Sequence, residues 1–113
     1  MWAPDEAPGL VLGDGARLGE GVLVGANVTI HEGTILGDGC SVGDNAVLGR
    51  RPVLSARSTA RRDAALEPLR IGAETRISAG AVVIRDVPAG KVVVGSPARV
   101  LRDVPADELQ ADE

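Results

Sequence analysis

The sequence predicts an all-β protein, a short parallel β-helix, from three features of its spacing. Seven consecutive six-residue units run from Leu12 to Val53, and each opens on an aliphatic residue. A small residue stands four positions after each opener, and Gly directly follows six of the seven. A period of six matches neither a helix turn nor an ordinary alternating strand, whereas three such units make one triangular coil. Residues 12–53 therefore supply about two and a third coils.

The individual units agree with this interpretation. The openers are Leu12, Leu18, Val24, Ile30, Leu36, Val42 and Leu48, and the small inward residues are Ala16, Val22, Val28, Thr34, Cys40, Ala46 and Pro52. Asn27 and Asn45 stand where other units carry Gly, and Asn is the usual replacement for Gly at positive φ. We therefore expect a left-handed backbone conformation at both Asn residues. The opener that Gly does not follow is Ile30, which precedes His31.

The composition limits what can fill the coils. The chain of 113 residues has no Phe or Tyr, and Trp2 is its single aromatic residue, so small aliphatic side chains must fill a narrow core. The single cysteine, Cys40, cannot form an internal disulfide. Its inward position favours a buried hydrophobic role over a nucleophilic one. Length and period together predict one domain over residues 1–113.

The charge distribution gives information about partners. A net charge of −4 gives no reason to expect nucleic acid or an anionic membrane as a partner. The N-terminus carries acidic residues where a signal peptide carries basic ones, so we expect a cytoplasmic protein. Arginines crowd residues 50–70, where only Asp63 and Glu67 oppose them. That patch suits a small anionic ligand such as a phosphorylated cofactor, or it is a solvated loop.

The period also divides the chain into segments. Residues 12–54 form the first coils, residues 55–70 a protruding Arg-rich loop, residues 71–84 the resumed coils, and residues 85–113 a closing segment and tail. The loop either stands in for most of one turn or leaves and re-enters near the same corner. Residues 91–95 predict a short strand, and residues 99–110 a short helix or irregular tail. The total is about three to three and a half coils.

Some apolar residues have no place inside a triangular prism. Leu23, Ile35, Val47 and Val53 stand at outward positions of their units. Apolar side chains on an outer face are explained by subunit packing, so we expect an oligomer.

These residues resemble the hexapeptide-repeat acyltransferases, a family with a left-handed parallel β-helix. The run from Ile30 to Cys40, IHEGTILGDGC, is typical of the repeat. The ending from Ile77 to Arg102, ISAGAVVIRDVPAGKVVVGSPARVLR, is similar to the closing segment of sugar, xenobiotic and maltose-type acetyltransferases. The stretch from Leu48 to Arg70 resembles loops in transferases that acylate nucleotide-linked or surface sugars.

The resemblance implies a homotrimer with active sites in clefts between neighbouring β-helices. It implies acetyl-CoA as donor, no metal, and a sugar, nucleotide sugar or other small hydroxyl or amine as acceptor. A histidine then serves as general base, and His31 is the single histidine of the chain. The expected donor contacts are Ser78, Ala79, Gly80, Arg85, Lys91, Arg99 and Arg102. Arg50 and Arg51, at the base of the loop, are the expected acceptor contacts.

Two other interpretations stay open from the sequence. His31 is also explained as a solvated corner residue in place of Gly, and the chain then is a non-catalytic trimeric scaffold. Only the units that open at Ile71 and Ile77 lie between the loop and the closing segment, so the donor groove is short. A γ-class carbonic anhydrase shares the β-helix but requires three histidines at its zinc, whereas this chain has one.

Overall fold

The computed structural model describes residues 1–49 and 68–108, in which three sheets wind around one axis. The first sheet contains β1 (Val11–Leu12), β4 (Thr29–Ile30), β7 (Val47–Leu48) and β10 (Val82–Val83). The second contains β2 (Arg17–Leu18), β5 (Ile35–Leu36) and β8 (Arg70–Ile71). The third contains β3 (Leu23–Val24), β6 (Ser41–Val42), β9 (Arg76–Ile77), β11 (Lys91–Val94) and β12 (Arg99–Asp103). Two short 3-10 helices span Pro4–Glu6 and Ala106–Glu108.

The register shows that each coil stacks on the coil before it. Leu12 pairs with Ile30 and Val24 pairs with Val42, so 18 residues separate equivalent positions. All these pairs are parallel. The fold is a short left-handed parallel β-helix: the period predicts the β-helix, and the family resemblance implies its hand. Three corners join the sheets: the first corner follows the first sheet, the second corner follows the second sheet, and the third corner follows the third sheet.

The register also shows where the loop enters. Leu36 pairs with Ile71, an offset of 35 residues instead of 18, so 17 extra residues enter between β7 and β8 without skipping a side of the prism. The chain therefore leaves and re-enters at the first corner, which was the second of the two expected alternatives. The predicted loop boundary is too late at its end, because Leu69 is buried and Arg70 already belongs to β8.

The closing segment differs from the prediction in two ways. The coils continue past residue 84: Val87 bridges Ile71, and Val93 pairs with Ile77 at an offset of 16 residues, which completes a fourth coil. That coil has 16 residues instead of 18, so its inward residues do not follow the six-residue period in the sequence. Arg99–Asp103 is an antiparallel strand on β11 and not a helix, because the upper edge of the third sheet offers unpaired backbone groups there.

The core is a narrow stack of small aliphatic side chains, as the composition predicts. From Val24 onward the openers of the described repeats are buried, and so are the residues four positions after them, including Thr34, Cys40 and Thr75. Leu12 and Leu18 stay partly exposed at the N-terminal end of the prism. At this end Trp2 pairs with Val24 and so covers the lower edge of the third sheet. No helix among residues 1–49 and 68–108 has the length and apolarity of a membrane span.

Three non-glycine residues have a positive φ, and the sequence predicts two of them. Asn27 and Asn45 have φ values of 58° and 63°, as expected for residues that replace Gly. Glu74 occupies the same place in its unit with a φ of 60°, although nothing in its side chain favours that conformation.

The glycines after the openers are required by coil stacking. A Cβ at Gly13, Gly43 or Gly72 would lie 2.2–2.4 Å from a backbone nitrogen of the next coil, which is closer than real Cβ atoms approach. These positions therefore exclude a side chain wherever another coil turns the same corner above. Besides His31, two described residues directly after an opener are not glycine. Ser78 lies below the hairpin of β11 and β12, and Ile84 lies on the fourth coil.

This explanation predicts different costs at equivalent corners. Gly43→Ala should lower the free energy of unfolding by about 2–3 kcal/mol, because the new Cβ meets the backbone of Ala79 and the coils must separate. Ser78→Ala, at the same place one coil later, should change it by less than about 0.5 kcal/mol. Urea unfolding of both variants measures this difference, and equal effects would contradict the explanation.

Candidate functional site

His31 lies at the first corner of the second coil, directly after β4, and its side chain is half-buried. Its backbone N–H donates to the carbonyl of Leu48 at 2.9 Å, which fixes the corner against β7 above it. The next residue on the corner above is Gly49, whose φ is 83°. A Cβ at Gly49 would lie 3.6 Å from the Cβ of His31.

The loop insertion and the side chain at position 31 belong to the same corner of the prism. At other corners the next coil places its backbone where this Cβ would be. The 17 extra residues lie between Leu48 of β7 and Arg70 of β8, where the chain next passes from the first sheet to the second. The two irregularities of the repeat, His31 and the Arg-rich segment, therefore meet at one place.

Thr34 adds a buried hydroxyl to this corner. Its Oγ1 is buried and has no hydrogen-bond partner among the described residues. The equivalent groups of the other coils are bonded: Cys40 Sγ donates to the carbonyl of Gly72 at 3.1 Å, and Thr75 Oγ1 to that of Pro88 at 3.2 Å. Thr34 Oγ1 would lie 2.0 Å from a Cβ at Gly49, so this glycine is required.

Charged residues line the same corner along the prism. The pairing of Leu12 with Ile30 places Asp14 and Glu32 in one column, each two residues after a paired opener. Arg85 lies at the same corner of the fourth coil, between Val83 of the first sheet and Val87, which bridges Ile71 of the second sheet. Of the expected donor contacts, Arg85 therefore shares a corner with His31.

The structure places the other expected donor contacts elsewhere. Ser78, Ala79 and Gly80 form the third corner, between β9 and β10, so a single chain does not bring them to His31. Lys91 is paired with Asp103, and the Arg102 guanidinium donates to the Asp103 carbonyl at 3.2 Å. Arg50 and Arg51, the expected acceptor contacts, lie outside the described residues.

Arg85 and Arg99 meet at a cavity of about 220 Å³ at the C-terminal end of the prism. Its floor consists of Val83, Val87 and Val93, one from each side of the fourth coil. Asp86 also lines the cavity, so two arginines stand against one carboxylate over an apolar floor. The remaining positive charge suits an anionic group attached to a less polar body.

Two cations that were not among the expected donor or acceptor contacts lie on the second sheet, although Arg70 closes the arginine-rich stretch noted in the sequence. Arg17 and Arg70 are exposed, and each pairs in register with Ile35 between them. Each precedes the opener of its strand and so points outward, which is the signal that could have identified them. The 17-residue insertion concealed that Arg70 continues the column of Arg17.

Cys40 is excluded as a nucleophile of an open site. It is fully buried, and burial raises the pKa of its thiol. The interpretation of Cys40 as a small buried hydrophobe is therefore supported by its surroundings.

The raised pKa of Cys40 predicts a loss of stability at alkaline pH. Below about pH 8.5 the thiol is neutral in both the folded and the unfolded chain. Above it the unfolded chain loses the proton first, because the folded state holds the pKa of Cys40 higher. The free energy of unfolding should therefore fall as pH rises above about 8.5. Urea unfolding at several pH values measures this dependence. Cys40→Ala should reduce the fall of the unfolding free energy with pH, whatever its effect at neutral pH. An unchanged fall would contradict the raised pKa of the Cys40 thiol.

Comparison with known proteins places this repeat among the transferases. Residues 15–50 match the family model described as bacterial transferase hexapeptide (six repeats). The bifunctional protein GlmU of Rubrobacter xylanophilus is 50% identical over 40 residues, 35% of this chain and 8% of that protein. A 2,3,4,5-tetrahydropyridine-2,6-dicarboxylate N-acetyltransferase of Clostridium perfringens is 46% identical over 48 residues, 42% of this chain and 20% of that protein. The aligned part thus spans no more than a fifth of either relative.

A solved structure extends the likeness over most of the chain. The crystal structure of serine acetyltransferase from Neisseria gonorrhoeae superposes with a TM-score of 0.51 and 26% sequence identity. The superposition covers 93% of this chain and 45% of the serine acetyltransferase chain.

Proposed function

We propose that this chain transfers an acetyl group from acetyl-CoA to a hydroxyl or amine of a small acceptor. Its fold and the match of residues 15–50 to the bacterial transferase hexapeptide model support this class of reaction. The observation that carries the proposal is the first corner. There a single histidine replaces the usual glycine under the point where the loop leaves, and Arg85 stands two coils above on the same corner. The names of the similar proteins, which are acetyltransferases, support the class of reaction.

The proposed reaction is a direct transfer with His31 as general base. The acceptor oxygen or nitrogen attacks the thioester carbonyl of acetyl-CoA, and His31 takes the proton that the acceptor loses. A new C–O or C–N bond forms, the C–S bond breaks, and CoA leaves as a thiolate that then receives a proton. No covalent enzyme intermediate is required, in keeping with the buried position of Cys40.

The donor would lie toward the C-terminal end of the prism. Arg85 and Arg99 are the proposed contacts for the CoA phosphates, because both line one cavity and neither forms an ion pair within residues 1–49 and 68–108. Lys91 is a weaker candidate, since Asp103 already neutralises it. Ser78, Ala79 and Gly80 are proposed to contact the pantetheine arm from the third corner of a neighbouring subunit.

A homotrimer would bring these two corners together. The outward residues of the first sheet, Val11, Thr29, Val47 and Val82, carry no charge, whereas the second and third sheets present Arg17, Arg70 and Arg76. The first sheet is thus the face best suited to subunit packing. If three copies turn this face toward a common axis, the first corner of one subunit approaches the third corner of the next.

The trimer can be tested by light scattering. The native chain should give about three times its mass of 11.5 kDa. Val47→Arg should produce monomers, because a charge on the uncharged face would be buried without a partner. Ser41→Arg, on the third sheet, is the matched control and should remain trimeric. A monomeric native protein, or an equal effect of both variants, would contradict this interface.

The catalytic proposal is tested by separating binding from transfer. Calorimetry should detect CoA binding by native protein and, within about twofold, by His31→Gln. Turnover with a panel of sugars, amino sugars and amino acids should fall by about 100-fold or more in this variant, which is the usual range for loss of a general base.

Glu32→Gln is the matched control and should retain turnover, because the adjacent residue is not assigned a role. Full turnover in His31→Gln would overturn the role of His31. Absence of CoA binding at millimolar concentration would overturn the donor assignment and favour the non-catalytic scaffold.

A further inference from the structure

The second sheet presents an outward column of two arginines separated by an isoleucine. Arg17, Ile35 and Arg70 stand on successive coils in direct register. The Cα atoms of Arg17 and Arg70 are two strand spacings apart, about 10 Å. Guanidinium groups on side chains of this length can converge on one anionic group between them.

These two arginines differ from the basic residues of the third sheet. Arg76 is paired with Glu108, and Lys91 with Asp103. Neither Arg17 nor Arg70 forms an ion pair within the part of the chain that the structure describes. Asp86 is near, but one of its carboxylate oxygens accepts the backbone N–H of Arg70 at 2.9 Å. The acidic residues Asp14 and Glu32 lie on the first corner, beside the sheet and not on its face.

A groove runs from Ile35 and Arg70 of this column toward the second corner, on the side of the second sheet away from His31. It has a volume of about 510 Å³, and Ile35, Arg70, Asp86, Pro88 and Ala89 are among the residues that line it. The floor is largely apolar, and Arg70 stands at its side. A molecule with one anionic group and a less polar body complements this arrangement.

The column is also adjacent to the proposed catalytic corner. Ile35 follows His31 by four residues, at the other end of the same corner. In the trimer proposed above, the first sheet faces the neighbouring subunits and the second sheet remains open to solvent. A molecule on the second sheet can therefore reach His31 from the side opposite the donor.

We propose that the acceptor carries a multivalent oxyanion, a phosphate or a pair of carboxylates, that Arg17 and Arg70 bind on the face of the second sheet. Its hydroxyl or amine extends from the two arginines toward the first corner and reaches His31. A less polar part lies on the other side of the arginines, in the groove beside Ile35 and Pro88. That this ligand is the acceptor rests on the proposed function. The binding of an anion by Arg17 and Arg70 does not depend on any catalysis. An uncharged sugar would not satisfy the two guanidinium groups.

The test is a titration of the full chain by amide NMR, with inorganic pyrophosphate in one arm and glutarate in the other. We expect the amide chemical shifts of Arg17, Ile35 and Arg70 to change on titration. The affinity for the anion should fall as the salt concentration is raised. Tighter binding of pyrophosphate would indicate a phosphorylated acceptor, and tighter binding of glutarate a dicarboxylate acceptor. The double variant Arg17→Gln with Arg70→Gln should weaken binding at least tenfold.

Arg76→Gln is the matched control, because Arg76 has the equivalent place in the same coil on the third sheet; it should change the affinity less than twofold. All three positions are at least partly exposed, so the variants should fold. Equal affinity in the double variant, shifts confined to another face, or displacement of pyrophosphate by CoA would overturn the acceptor site. A protein that binds pyrophosphate here but shows no CoA binding would instead contradict only the proposed transfer.

Discussion

The close stacking of backbone on backbone at the corners of the prism is the constraint on which this structure depends. At Gly13, Gly43 and Gly72 the next coil occupies the space of a Cβ, with its backbone nitrogen 2.2–2.4 Å from where that atom would be. Coils can therefore approach at the spacing that parallel strands need only if these positions lack side chains. The repeat of glycine is a consequence of this geometry and not of turn formation alone.

The same constraint links the features that carry the proposed chemistry. His31, which replaces the glycine of its unit, lies at the corner between the two sheets that the 17-residue insertion separates along the chain. His31, the proposed general base, and the insertion thus belong to the same corner of the prism. Thr34, with a buried hydroxyl that is unpaired among the described residues, lies at the same corner.

Sequence periodicity predicted the fold because the inward positions depend only on local spacing. Val24, Val42 and Ile77 are buried as expected, and Asn27 and Asn45 have positive φ. What it missed depends on contacts distant in sequence. The fourth coil is two residues short, so Val87 did not fit the period, and β12 forms only because β11 leaves an edge to pair. The column of Arg17 and Arg70 could not be seen until the 17-residue insertion was placed.

The insertion between β7 and β8 has a further consequence in terms of chain entropy. Both of its ends are fixed by parallel pairing, Leu48 with Ile30 and Arg70 with Ile35, so the rest of the prism does not change with the length of the segment. The free energy of closing such a loop grows only with the logarithm of its length, about 0.6 kcal/mol for each doubling. Segments of very different length and composition can therefore be exchanged at this corner at little cost in stability, while the residues below it keep their positions.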